Sequence, residues 1–151
     1  MGHAPHAAAI ACVASNVVIV TTAGAFGIHG STANVWCEPA ERPYAFIVLD
    51  PAHETYAHVT DSRVFAVNIL GAGSESVALQ FAGPQSDRFR SIDYKPGVTG
   101  APLLDCAIAV LECELHREML VEAHAVLAGA VVASRLGTKR RPLTYVDGTF
   151  G

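Results

Sequence analysis

Short runs of β-branched and aromatic residues, each cut off by Gly, Pro or Asp, constrain this chain more than any other feature. Val17 to Thr22 (VVIVTT), Tyr44 to Asp50 (YAFIVLD) and Val64 to Leu70 (VFAVNIL) read as strands. Ala107 to Arg117, His124 to Ala133 and Leu143 to Val146 read the same way, and a further short strand is expected before Thr32. Within AIAVLECELH, Leu111 and Cys113 alternate with Glu112 and Glu114, the period of a half-buried strand. Most connections are too short to hold a crossover helix. The pattern therefore favours an antiparallel barrel over alternating βα units.

Helices enter as interruptions. The Ala-rich start, His6 to Ala14, has the composition of one short helix. DPAHETYAHV predicts a turn at Asp50–Pro51 that opens a helix with Thr55 and Tyr56 in its first turns. GSESVALQFAG (Gly73 to Gly83) predicts another, with Ser at the cap, and SDRFRSIDY (Ser86 to Tyr94) a helical turn or two. KPGVTGAPLLDCA, punctuated by Pro96, Gly97, Gly100 and Pro102, is expected as loop. GIHGSTANVW, between two apolar runs, is small and polar from Gly30 to Asn34. It is either a solvated connection or a surface on which something polar docks.

The 151 residues fit a single domain, 1–151, long enough to bury a core without staples. Only 16% of residues are charged against 51% hydrophobic, which calls for large buried areas or a buried subunit contact. The net charge of -4 and the lack of a basic block exclude nucleic acid as a partner class; Lys139 to Arg141 reads as a turn between strands. No apolar run approaches the roughly 18 residues of a membrane helix. The start lacks the basic region of a signal peptide, and no C-x-x-C pair occurs, so a cytoplasmic location is expected. Cys106 and Cys113 read as buried thiols.

Familiar catalytic machinery is missing from the pattern. Neither Ser15 nor Ser31 lies in a G-x-S-x-G context. Cys37 is either structural or a nucleophile whose base the sequence does not place. His53 and His58 are spaced i, i+5, and no H-x-H or H-E-x-x-H occurs, so no metal site is expected. GAGSES lacks the final Gly of a dinucleotide fingerprint. His124 opens an apolar strand, where it either faces a ligand or is a solvated end residue. The low-bulk segment Gly30–Asn34 and the region of Thr55 suit a phosphate-bearing ligand, because backbone amides and hydroxyls can converge on its oxygens.

Taken in order, the segments resemble the flavin reductase-like family of FMN-binding split-barrel proteins, including the reductase component of two-component flavin-dependent monooxygenases. VVIVTT followed by GIHGSTANVW is similar to the family's first strand, hairpin and G-x-T-A-N-S signature. DPAHETYAHV resembles its helix-opening Thr-Tyr segment, and RVFAVNIL its F-V-V-N-V strand. FAGPQSDRF matches F-A-G-x-x-x-D-R-F. TGAPLLDCAIAVLECEL resembles T-G-A-P-x-L-x-x-A-x-x-x-L-E-C. EAHAVLAGAVV stands where the family has G-D-H and a strand, and PLTYVDGTFG resembles the closing P-L-x-Y-x-x-G-x-Y-G.

The resemblance implies a mainly β split barrel with minor α, a homodimer, FMN or FAD, and NADH or NADPH as hydride donor. Ser31, Thr32, Ala33, Asn34, Val35, Trp36 and Cys37 would form a flavin cradle, with small residues letting the backbone approach the ring. Thr55 would present helix amides to the flavin phosphate. Arg88 would supply its counter-charge, or else pair with Asp87 or Asp93. Phe81 and Phe150 belong to the cofactor-binding set. So does Asn68, either touching flavin or holding the loops. His124 would place the nicotinamide. Three departures bear on this. Glu122 and Ala123 replace Gly and Asp before His124; VWCEP replaces a hydroxyl-rich run, with Glu38 able to repel a phosphate; and YVDGTFG lacks a His/Arg. The implied activity is NAD(P)H:flavin oxidoreduction supplying a partner monooxygenase. The alternatives are a flavoredoxin-type electron carrier, or a member recruited to a different flavin-linked or non-redox reaction.

Overall fold

The computed structural model describes residues 6–13, 15–146 and 148–151. Its centre is a closed barrel of six antiparallel strands in the order β2-β3-β4-β9-β8-β5. These are β2 (Val18–Gly24), β3 (Gly27–Cys37), β4 (Tyr44–Leu49), β5 (Val64–Leu70), β8 (Ala107–Val121) and β9 (His124–Leu136). Two small sheets flank it. One joins β1 (Ser15–Asn16), β10 (Thr144–Val146) and β11 (Thr149–Phe150), and the other pairs β6 (Tyr94–Pro96) with β7 (Pro102–Leu104). The helices are α1 (Ala7–Ile10), α2 (Glu54–Ser62) and α3 (Glu75–Ala82), with a 3-10 turn at Gln85–Asp87.

The apolar run VVIV is continuous because both faces of β2 are covered. Val18 and Val20 point into the barrel with Ile47, Phe65, Val67 and Leu127, closed at one end by Val59 of α2. Ile19 points outward beneath α3, with Leu70, Phe81, Leu104 and Leu143. Burying a Val, Ile or Phe on either face gains about 1.5–3 kcal/mol each.

Several expectations need correction. GIHGSTANVW is not a connection; it is the body of β3, an eleven-residue strand. The segment expected as loop after Lys95 contains β7, hydrogen-bonded to β6. The N-terminal helix is one turn, Ala7–Ile10, and Ala14 lies outside the described residues. Cys106 is exposed in the turn before β8, whereas Cys113 is buried and its thiol is pushed up to about 12, chiefly by desolvation.

Glu112 is buried too, against its place in the alternation. It keeps the outer face, on the same side as Val110, but the loop between β6 and β7 covers it there. There its carboxylate accepts the amides of Val98 (3.3 Å) and Thr99 (3.0 Å) and the Thr99 hydroxyl (2.7 Å). Gly97 is required above it, since a Cβ there would lie 2.1 Å from Oε1.

Asn68 ties three strands together. Its Nδ2 donates to the Ile19 carbonyl and the Thr21 hydroxyl, each at 3.0 Å, and its Oδ1 accepts the Leu104 amide at 2.9 Å. The side chain is fully buried and its amide is spent on β2 and β7. It holds the barrel wall and is withdrawn from the ligand-contacting set. Asn68→Leu keeps the volume but strands these partners, so it should lower unfolding free energy by roughly 2–4 kcal/mol. Denaturant unfolding would show this as a lower midpoint at unchanged slope, and the folded variant should keep its ligand affinity.

Candidate active site

β3 changes neighbours along its length. Gly27 to Ala33 pair with β2, and Asn34 to Cys37 pair with β4. Opposite β2, the edge from Ile28 to Ala33 therefore pairs with no strand among the described residues, and α2 and α3 pack beside β3. Its backbone groups must find other partners. The Gly30 carbonyl accepts Arg88 Nη1 at 3.0 Å, while Arg88 Nε donates to the Gly83 carbonyl at 3.0 Å. A Cβ on Gly30 would lie 2.7 Å from Phe81 Cε1 and 3.1 Å from Phe89 Cζ. The small residue thus makes room for α3. Phe81, fully buried, belongs to this packing and cannot contact a ligand.

Beside this edge lies a pocket of about 450 Å³, lined by His29, Ser31, Ala52 to Thr55, Gly83 to Gln85 and Arg88. Thr55 is the second residue of α2, so the amides of Glu54 and Thr55, which have no intrahelical acceptor, point out of this end, while that of Tyr56 is bonded to the His53 carbonyl at 3.2 Å. Arg88 is held by two neutral carbonyls. Asp87 pairs instead with Arg90 at 2.6 Å, and no carboxylate pairs with Arg88 among the described residues. A cation without a counter-charge, beside a helix N-terminus, is a site for an anion. Glu54 opposes it, sharing the pocket wall.

His29, buried in β3, joins the two sides. Its Nε2 lies 2.8 Å from Thr55 Oγ1 and its Nδ1 3.0 Å from Gln85 Nε2. The His58 ring stacks on it, centroids 4.3 Å apart and planes 18° from parallel, and Phe26 meets His58 edge-on at 5.6 Å. Desolvation first, then the neighbouring His58 and Arg88, lowers the His29 pKa from 6.5 to about 4, with Glu54 opposing. His29 is neutral at neutral pH. The nearness of His29, Glu54 and His58 does not make a metal centre. Ring-nitrogen lone pairs lie in the ring plane, and two nearly parallel stacked planes do not converge on one ion.

A second pocket, about 330 Å³, is lined by Ser15 to Val17, Thr32 to Asn34, Ala78, Leu79, Ala82, Tyr145 and Phe150. The two pockets adjoin. Ser31 borders one and Thr32 the other, and so do Gly83 and Ala82 on the facing wall. One is walled by apolar side chains with a few hydroxyl and amide groups, and the other by cation and amides. Together they fit a flat heteroaromatic ring that carries a phosphate-bearing tail.

Of the residues expected at a site, Ser31, Thr32, Ala33, Asn34, Thr55, Arg88 and Phe150 line these pockets. Val35 packs against the barrel interior, and Trp36 and Cys37 are exposed farther along β3. Glu38 follows the strand outside both pockets. His124 is exposed at the β8–β9 turn and lines neither. Glu122, in that turn, takes φ +52°, the left-handed conformation that glycine adopts most readily. His29, Gln85 and Tyr145 were not foreseen. No metal-type spacing marks His29, and only the pairing of β3 brings it to Thr55.

The fold and this cleft define a flavin-binding split barrel. Residues 10–151 match the flavin reductase like domain, and the chain belongs to that family. It is similar to the FMN reductase (NADH) RutF of Escherichia coli, with 30% identity over 145 residues, covering 94% of this chain and 88% of that protein. Among solved structures it is similar to the NADH:FAD oxidoreductase SgcE6 of Streptomyces globisporus (TM-score 0.87, 29% identity, 95% of this chain and 88% of that one). It is also similar to BorF, the flavin reductase component of a bacterial two-component tryptophan halogenase (TM-score 0.86, 26% identity, 95% and 92%).

Because His29 binds a proton far less readily folded than unfolded, it contributes no pH dependence above about pH 6.5. As pH falls from about 6.5 through about 4, the unfolded state takes up the proton first and stability drops, by a few kcal/mol at most. Thermal melts of the wild type and His29→Gln should diverge across that window, the variant losing less on acidification.

Proposed function

We propose that this protein is an NAD(P)H-dependent flavin oxidoreductase that supplies reduced flavin to a separate monooxygenase. The observation that carries this reading is the pair of adjoining pockets on the free edge of β3. Nicotinamide supplies a hydride and flavin accepts it, so the protein's part is to hold the two with reacting atoms about 3–3.5 Å apart. Thr32, Ala33, Asn34 and Phe150 would seat the ring. Thr55, the first amides of α2 and Arg88 would hold the phosphate, and Arg88 stays available because no carboxylate among the described residues pairs with it. The relatives named above are reductases by name, one of them a component of a two-component halogenase.

His124 is our candidate for placing the nicotinamide. Ala125 pairs with Leu49, so His124 stands on the barrel rim from which the turn at Asp50 leads into α2 and the anion pocket. NADH oxidation should require added flavin. His124→Ala should cut turnover with NADH about tenfold or more while flavin affinity, read by fluorescence quenching, stays within about twofold. An equally fast variant removes His124 from the reaction, and a wild type inert toward NADH and NADPH points to the electron-carrier alternative.

We also propose a homodimer. On the outer barrel face Trp36 pairs with Phe46 and Phe46 with Ala128; in the next row Val48 pairs with Val126 and Val126 with Met119. Trp36 is 57% and Met119 58% exposed, so the stripe is uncovered in one chain. Asn34, which pairs with Val48, reaches from this face into the ring pocket. A stable dimer covers about 800 Å² per partner. Sedimentation should show a dimer at micromolar concentration, and Trp36→Glu with Met119→Glu should yield monomers with weakened flavin binding.

A further inference from the structure

We infer that His29 is a positioning residue that orients the Thr55 hydroxyl as a hydrogen-bond donor toward a phosphate oxygen of the flavin, through a directed chain from Gln85 to His29 to Thr55. The inference rests on the reading of this pocket as the phosphate site.

The direction follows from donor chemistry. The Gln85 Nε2 amide carries only hydrogens, so the His29 Nδ1 facing it at 3.0 Å must accept. A neutral imidazole has one N–H, which then sits on Nε2 and donates to Thr55 Oγ1 at 2.8 Å. The Thr55 oxygen is thereby an acceptor from His29, and its own proton is left for another partner. Thr55 makes no second side-chain hydrogen bond among the described residues. Thr55 lines the pocket that holds Arg88, where an anionic oxygen is the acceptor that the remaining groups favour.

The chain is also held stiffly. Thr55 is 4% and His29 2% exposed, so water does not compete for the bond between them; Gln85 stands at the exposed end of the chain. In its plane the imidazole is fixed at both nitrogens, and on one face it is fixed by the stacked His58. The charged and titratable groups around it are His58 and Glu54 on α2 and Arg88 beyond the 3-10 turn. His29 stays neutral among them, which is what an imidazole that accepts on one side and donates on the other requires.

The test is the binding of FMN and of riboflavin, which lacks the phosphate, by His29→Leu, Thr55→Val, the double variant, His29→Gln and Arg88→Gln. We expect His29→Leu to weaken FMN binding about tenfold and riboflavin binding less than twofold. The double variant should bind FMN no more weakly than Thr55→Val alone, because His29 acts through Thr55. His29→Gln, whose amide both accepts and donates, should restore most of the loss. If Thr55→Val and Arg88→Gln weaken FMN selectively but His29→Leu does not, the positioning role fails while the phosphate pocket stands. The role also fails if the His29 and Thr55 losses multiply, or if riboflavin weakens as much as FMN, which would mark simple packing damage. If neither Thr55→Val nor Arg88→Gln discriminates FMN from riboflavin, the phosphate reading fails and takes the positioning role with it.

Discussion

The change of partner in β3, between Ala33 and Asn34, is the constraint on which the rest of the structure depends. A barrel strand that leaves one neighbour before its end exposes a row of backbone donors and acceptors on the other side. Water, another chain or a ligand must satisfy them. Here α3 lies over the row, made possible by the missing side chain at Gly30, and Arg88 takes the Gly30 carbonyl. What remains uncovered along the strand becomes the floor of both pockets. The cleft is thus a consequence of how the barrel closes.

The same geometry explains the electrostatics. Arg88 satisfies two carbonyls, which hold it in place without cancelling its charge. His29, buried among His58 and Arg88, cannot afford a proton at neutral pH and so works as a neutral connector. A protonated His29 would donate from both nitrogens and lose the acceptor that Gln85 needs. Fixed donors in a partly buried pocket need little reorganisation when an anion arrives, which is how preorganised sites gain affinity.

Glu122 and Glu38 are instructive for reading departures from a family pattern. Glu122 occupies a position where a glycine is usual and takes the left-handed conformation itself, so the hairpin turn survives the replacement. Glu38, adverse on paper, lies outside both pockets and opposes nothing. A carboxylate that does share the anion pocket is Glu54, and it lies at the first position of α2, where it also interacts favourably with the helix dipole.

The sequence by itself determined the barrel. Runs such as VVIVTT and VFAVNIL are apolar on two faces, and chains of that kind must be buried on both sides by a core and a covering helix. It also determined the family and, through the Thr55 helix start and the STAN segment, part of the cleft. Tertiary structure decided that GIHGSTANVW is a strand. Its small residues have little β propensity of their own and are held extended by pairing with β2 and β4. It decided that Asn68, Phe81 and Glu112 serve the scaffold, because what covers a residue's face depends on packing from distant segments. It decided the His29 chain as well. His29 lies 26 residues from Thr55 and 56 from Gln85, and a hydrogen bond acts only within about 3 Å, so no local pattern in the chain can record that they meet.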